Sequence, residues 1–478
     1  MSGTAGDITG SPAWALRDAM AAGEFSPVEV VDAFLDRIER LEPTLHAFIT
    51  VDAVGARAMA RRAELAISDG VPLGALHGVP VAIKDNLWVE GLPTTSGCAL
   101  FVDDVAPSDS VAAERIRAAG GIIIGKTNMP EFAVWPRTVS RIAPECVNPW
   151  DPERVSGASS GGSGAAAAAE VPLAIGTDGG GSTRLPAALC GVVGVQPSKG
   201  VVPSWGRLGE GQFAGIGPMT RDVRDAARLL TVIGGPDQRD PMSTGIGAAD
   251  YEVGLDDGVG EIRLAWIPTM GDFAPDPAVT PVVAAAVSDL VTAGAHVDES
   301  TVRFAGLPEH FWALNAGRVI YDGAASPMAH PRILEAFADD HRRALLSPYL
   351  ISLVENARVV SEESYRAARD WRDAQYHKLK ELFTRYDFVA VPTAPYVAPL
   401  RPMDPWAMPW ETMDHYIANT ALANILRLTA VSVPAGFVDG LPVGLQLIGP
   451  RGSEALALRV CRALEVVRPW AHHRPPIW

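Results

Sequence analysis

Short, unbroken apolar runs recur along the whole chain, and they limit what it can become. VPVAI (79–83), IIIG (122–125), VPLAIG (171–176) and VVGV (192–195) come first. RLAWIP (263–268), FVAVPT (388–393), AVSVPAG (430–436) and VGLQLIG (443–449) follow. A strand that is apolar on both faces needs cover on both faces. Helical stretches near 110–120, 164–170, 220–232, 277–293, 363–385 and 454–466 alternate with these runs and can supply it. An earlier helix opens at Ser26, with Pro27 in its first turn and Glu29 closing a capping box. The pattern predicts an α/β fold with a mixed, mostly parallel twisted β-sheet covered by helices on both faces.

No internal repeat or long low-complexity linker divides the 478 residues, so one large domain, 1–478, is expected. Residues 240–345 read as an insertion or substrate-side region. The segment 399–416, PLRPMDPWAMPWETMDHY, lacks clean periodicity and is rich in Pro, Met and Trp. It reads as a lid packed on the core or as a wall of an apolar pocket.

A net charge of −16 disfavours nucleic acid and anionic membrane as partners. No basic segment precedes an apolar leader, and no run approaches the roughly 18 apolar residues of a membrane span. The four cysteines form no C-x-x-C and the ten histidines no H-E-x-x-H. No metal or other cofactor is therefore expected, and a reducing, cytoplasmic setting suits the cysteines.

Two familiar patterns need weighing. GGIIIGKT, Gly120 to Thr127, fits the Walker A expression, but Ile122, Ile123 and Ile124 favour a buried strand over a phosphate-wrapping turn. GASSG, Gly157 to Gly161, fits the G-x-S-x-G elbow of an α/β-hydrolase. The preceding NPWDPERVS does not read as a strand, although His415, His472 or His473 could then be the base.

The chemistry concentrates between Ser156 and Pro186, SGASSGGSGAAAAAEVPLAIGTDGGGSTRLP. Gly179, Gly180 and Gly181 can turn several N–H groups toward one point, as an oxyanion hole requires. Ser182 stands at the edge of that turn. A tight structural turn would use the same glycines. Lys84, closing the run VAIK, is either solvated or buried as a base.

Several long motifs stand in order along nearly the whole chain: GVPVAIKDN, GKTNMPEF, NPWDP, GASSGGSGAA, GTDGGGSTRLPAALCGVVGVQPSKG, GPMTR, VPTAP and GLPVGLQLIGP. Together they resemble the amidase signature family of serine hydrolases, with 70–235 as the signature core. The resemblance implies a Ser-Ser-Lys triad in which Lys84 is the base, Ser159 the bridge and Ser182 the nucleophile. That family holds its bridging serine with a cis peptide bond. Ser160 and Ser163 are motif neighbours without an assigned role. Thr177, Asp178 and Arg184 would support the turn.

The resemblance further implies an acyl-enzyme mechanism on an amide (C–N) bond. Relatives cleave fatty, aryl and aliphatic amides, nylon oligomers and some carbamates, and one serves as the glutaminase component of a tRNA-dependent amidotransferase. The expected substrate is a bulky apolar or aromatic amide, anilide or carbamate, with esters as a side activity. Trp135, Trp205, Phe213, Trp312, Trp406 and Trp410 are candidates to line its pocket. Where many relatives read close to LAGLPAISVP, this chain has NILRLTAVSVP, with Arg427 and Leu428 intervening. Relatives are often dimers, so a homodimer is the assembly to test. A binding protein without catalysis would have no chemical reason to keep Lys84, Ser159 and Ser182 together.

Overall fold

A computed structural model describes residues 5–207, 213–323, 330–357, 359–408 and 413–478. Eleven strands form one sheet. They are β1 (Phe48–Val51), β2 (Pro80–Lys84), β3 (Ile122–Thr127), β4 (Leu173–Asp178), β5 (Val193–Gln196), β6 (Gly215–Thr220), β7 (Arg263–Trp266), β8 (His296–Glu299), β9 (Phe388–Pro392), β10 (Thr429–Val438) and β11 (Leu441–Gly449). The order across the sheet is β1-β3-β2-β4-β6-β5-β10-β11-β9-β7-β8. The eight apolar runs all became strands. The Walker-like segment is β3, buried throughout.

Period-two alternation divides the side chains between two cores. Leu264, Trp266, Phe388, Ala390, Val431, Val433, Leu445 and Leu447 join one cluster. Ala265, Val389, Val391, Ala430 and Ile448 join the other. Helices Pro27–Leu45, Val223–Ile233, Val279–Thr292 and Glu454–Val467 pack on the first face. Helices Arg184–Cys190, Leu307–Tyr321, Glu362–Leu382 and Ala421–Ile425 pack on the second. The expected two-sided cover is present.

The sheet is mixed, but the expectation of mostly parallel pairing needs correction. Among the described residues six ladders are antiparallel and four are parallel. Two causes are local. Asp439 and Gly440, both at positive φ, join β10 to β11 through a two-residue hairpin. The strand β6, with the text GIGPMT, carries glycine and proline and does not look like a strand, yet it pairs antiparallel with both β4 and β5. Strands β7 and β8, from the 240–345 region, join the common sheet beside β9.

The parallel trio β3-β2-β4 matters most for function. Its strands end together, which brings Lys84 and Thr177 side by side at their carboxyl ends, where open α/β sheets hold ligands. No helix of the described residues is long and apolar enough to cross a membrane.

Candidate active site

Lys84 is wholly buried at the end of β2. Its Nζ donates to Ser159 Oγ at 2.7 Å and to Thr177 Oγ1 at 2.7 Å. Asn86 Nδ2 donates to the same Thr177 oxygen at 3.2 Å. One strand away, Lys126 and Asp85 form a buried ion pair at 3.5 Å, so the two lysines of this sheet end have different partners.

The loop carrying Ser159 is held against the turn carrying Ser182. Ser160 N donates to the Ser182 carbonyl at 3.2 Å. Ser160 Oγ donates to Thr177 O at 2.9 Å, and Ser163 Oγ to Ile175 O at 2.9 Å. Those two hydroxyls tie the loop to β4. No cis peptide bond occurs in the described residues, so the cis bond implied for the bridging serine is not found. The loop reaches its bend through positive φ at Gly157 and Ala158 instead. No strand leads into GASSG, and the hydrogen-bond partner of Ser159 is a lysine, which removes the basis of the elbow reading.

The glycine turn is built around Asp178. Its carboxylate accepts from the backbone N–H of Gly181 at 2.6 Å, of Thr183 at 3.1 Å and of Arg184 at 3.3 Å. Burial alone would raise its pKa, but the Arg184 guanidinium and these hydrogen bonds outweigh burial and pull it down to about 2. The Gly181 N–H is thus committed to Asp178, which corrects its expected place among the oxyanion donors. The N–H groups of Gly179, Gly180 and Ser182 meet no acceptor among the described residues.

Space enforces two of the three glycines. A Cβ on Gly180 would stand 2.9 Å from the Phe311 ring, and one on Gly181 would collide with Thr420. Gly181 also sits at φ 128, a conformation few other residues adopt. Thr420 Oγ1 donates to Gly180 O at 2.6 Å and fixes that peptide. Arg184 braces the turn from behind, donating to Thr420 O at 2.9 Å, Gln446 Oε1 at 2.6 Å and Asn424 Oδ1 at 2.6 Å.

One functional candidate escaped sequence reasoning. The Tyr416 hydroxyl hydrogen-bonds the Ser182 side chain, and burial pushes its pKa up, so it remains protonated. It stands on the short helix Met413–Ile417, as the last residue of the segment 399–416 expected to be a lid or a pocket wall. No local signal ties it to a serine 234 positions earlier. The rest of that loop, as far as 408, is pinned by Arg137, which donates to the carbonyls of Pro402, Asp404 and Ala407 and pairs with Glu145 at 2.7 Å.

The aromatic candidates divide. Phe213 adjoins Ala214, the residue facing Gly179, and Trp312 packs on Phe311. Trp135 stacks on Tyr349, which also meets Trp406. Trp205 packs on Trp88, away from the turn's described neighbours. Trp410 lies outside the described residues.

The chain is similar to known proteins along nearly its whole length. The profile of the Amidase family matches residues 29–458. The chain is 37% identical to a glutamyl-tRNA(Gln) amidotransferase component of Symbiobacterium thermophilum, covering 95% of this chain and 96% of that protein. It is 34% identical to an acylamidase of Rhodococcus erythropolis, covering 96% and 95%. Among solved structures, a bacterial aryl acylamidase of the amidase signature family superimposes with a TM-score of 0.87 at 27% identity, over 97% of both chains. The 6-aminohexanoate cyclic dimer hydrolase superimposes with a TM-score of 0.83 at 26% identity, over 98% of this chain and 99% of that one. The chain belongs to the Amidase family, the amidase signature enzymes.

Proposed function

We propose that this protein hydrolyses the C–N bond of bulky apolar or aromatic amides, anilides or carbamates, with Ser182 as nucleophile, Ser159 as proton bridge and Lys84 as base. The observation that carries the reading is the 2.7 Å contact between a wholly buried Lys84 Nζ and Ser159 Oγ, beside the Ser182 turn. Burial disfavours an ammonium ion and so favours the neutral amine the mechanism needs.

In this reading Ser182 Oγ bonds to the carbonyl carbon while its proton passes to Ser159, whose own proton passes to Lys84. The oxyanion is received by the N–H groups of Gly179, Gly180 and Ser182. Collapse breaks the C–N bond, and the departing nitrogen takes the proton back through Ser159. Water then cleaves the acyl-enzyme by the same relay. Esters, which are easier acyl donors, are cleaved as a side activity.

A panel of p-nitroanilides, fatty amides, aryl carbamates and glutamine on the pure protein tests the proposal. Turnover of the aromatic substrates, and labelling of Ser182 by a serine-directed probe, are the expected results. A preference for glutamine would instead favour a role inside an amidotransferase, which the 37% identity to one such component supports. Labelling at Ser160 or Ser163 would overturn the assignment of the nucleophile.

Tyr416 is proposed to hold the Ser182 hydroxyl in its attacking position. Tyr416→Phe removes one hydrogen bond and is expected to lower kcat about tenfold. KM should change little, because Tyr416 acts on the nucleophile. An unchanged kcat would reduce Tyr416 to packing.

A further inference from the structure

A base on a flexible stem needs its lone pair aimed before it can take a proton. A neutral amine carries two hydrogens and one lone pair, whereas an ammonium carries three hydrogens and no lone pair. Lys84 Nζ meets Ser159 Oγ at 2.7 Å, Thr177 Oγ1 at 2.7 Å and Thr177 O at 3.4 Å. One residue thus offers the amine both its hydroxyl and its carbonyl oxygen.

The two oxygens of Thr177 are set to accept. The carbonyl has no hydrogen to give. The hydroxyl oxygen receives Asn86 Nδ2 at 3.2 Å as well as Lys84. Two N–H donors fill both of its lone pairs, so its own hydrogen points away from Lys84. Thr177 then does not compete with Ser159 as the proton donor to the amine.

The strands fix these positions. Lys84 ends β2, Thr177 is the penultimate residue of β4, and the two strands pair in parallel. Ser160 locks the Thr177 backbone, accepting from its N–H at 3.2 Å and donating to its carbonyl at 2.9 Å. Asn86 is wholly buried, and its Oδ1 has no hydrogen-bond partner among the described residues. An orphaned buried acceptor is destabilising, which fits a side chain kept for the bond made by its other end. The charged groups of the adjoining strand ends are paired with one another, Lys126 with Asp85 at 3.5 Å and Arg184 with Asp178 at 2.9 Å.

We propose that Thr177, steadied by Asn86, is the positioning residue of the base. It holds both hydrogens of the neutral Lys84 amine, so that the lone pair faces Ser159 Oγ. When the Ser159 O–H bond breaks and the new N–H bond forms, the same two acceptors hold the ammonium, and Ser159 takes the Ser182 proton. Acceptors fixed in advance around a developing charge cost no reorganisation. This rests on the relay of the hydrolase reading.

Thr177→Val keeps the side-chain shape and removes the hydroxyl. With the p-nitroanilide turned over fastest in the panel above, kcat is expected to fall about ten- to a hundredfold at little change in KM, the worth of one hydrogen bond to a charged group. Thr177→Ser should recover most of the loss, and Asn86→Ala should lower kcat about threefold. The pH profile separates positioning from packing. Neutral Lys84 is the active form, and the valine variant takes an acceptor from the ammonium, so the amine stays neutral to lower pH. The acid limb of kcat should therefore move down by about one pH unit in Thr177→Val and stay in place in Thr177→Ser. A wild-type kcat in Thr177→Val, or a lowered kcat with an unmoved acid limb, overturns the proposal. Lys84→Met in the same assay tells the two readings apart. An active Lys84→Met sinks the relay and the proposal with it, whereas an inactive one beside an undiminished Thr177→Val sinks the positioning role alone. Should Thr177→Val melt well below the wild type, Thr177→Ala is read in its place against the same outcomes.

Discussion

Lys84→Met is expected to cut kcat by at least about 10⁴-fold, the scale on which removal of one member of a proton-relay triad acts. Methionine fills nearly the same volume and brings no charge into a site where lysine is wholly buried. The fold should therefore survive, since exchanging a buried ionisable group for an apolar one of similar size is often neutral or better. What disappears is the amine 2.7 Å from Ser159 Oγ, and with it the group proposed to take up that hydroxyl's proton. Ser182→Ala should fall as far. The measurement is kcat of both purified variants beside their melting temperatures. A stable Lys84→Met enzyme that keeps wild-type turnover would refute the relay.

The second large effect is structural. Arg184→Ala should cost about 3–5 kcal/mol of stability, the usual result of leaving one member of a buried ion pair alone. Arg184 donates to Asp178 through Nε at 2.9 Å and Nη2 at 3.0 Å, and both side chains are fully buried. Asp178 in turn fixes three N–H groups of the catalytic turn, so activity should vanish along with stability. Arg184→Lys should rescue little, because one ammonium cannot reach the acceptors on Asp178, Asn424, Thr420 and Gln446 at once. The pH dependence follows from Asp178. Its pKa in the folded protein, about 2, lies below the ordinary 3.8. Its contribution is therefore present above pH 3.8 and lost as pH falls through 2. Chemical denaturation of wild type and Arg184→Ala at neutral pH, with wild-type melting followed below pH 4, checks both parts. A variant that retains wild-type stability would show that the network does not hold the turn.

Much of this architecture was legible because short-range physics governs it. The capping box of Ser26 and Glu29 forms as read, and the apolar runs became strands because nothing else can bury both of their faces. Lys84, Ser159 and Thr177 came together because two strand ends and one small-residue loop must meet at that edge. The failures are equally physical. Strand β6 was hidden by its glycines and proline, and the edge strands β1 and β8 are only four residues long. The balance of parallel and antiparallel pairing depends on chain reversals that periodicity does not record. The Gly181 N–H looked free because its acceptor is a side chain, and side-chain orientation is invisible in a string of letters. Tyr416 was missed for the same reason on a longer scale.

The crowding around Gly180 and Gly181 bears on how this enzyme can be re-engineered. With Phe311 on one residue and Thr420 on the other, these two positions of the glycine turn admit almost no alternative side chain. Libraries aimed at new substrates should leave them untouched and diversify the helix Leu307–Tyr321 and the Arg137-anchored segment through 408, whose tip at Met403 is fully exposed. Selectivity can then drift at the rim while the reacting centre stays invariant.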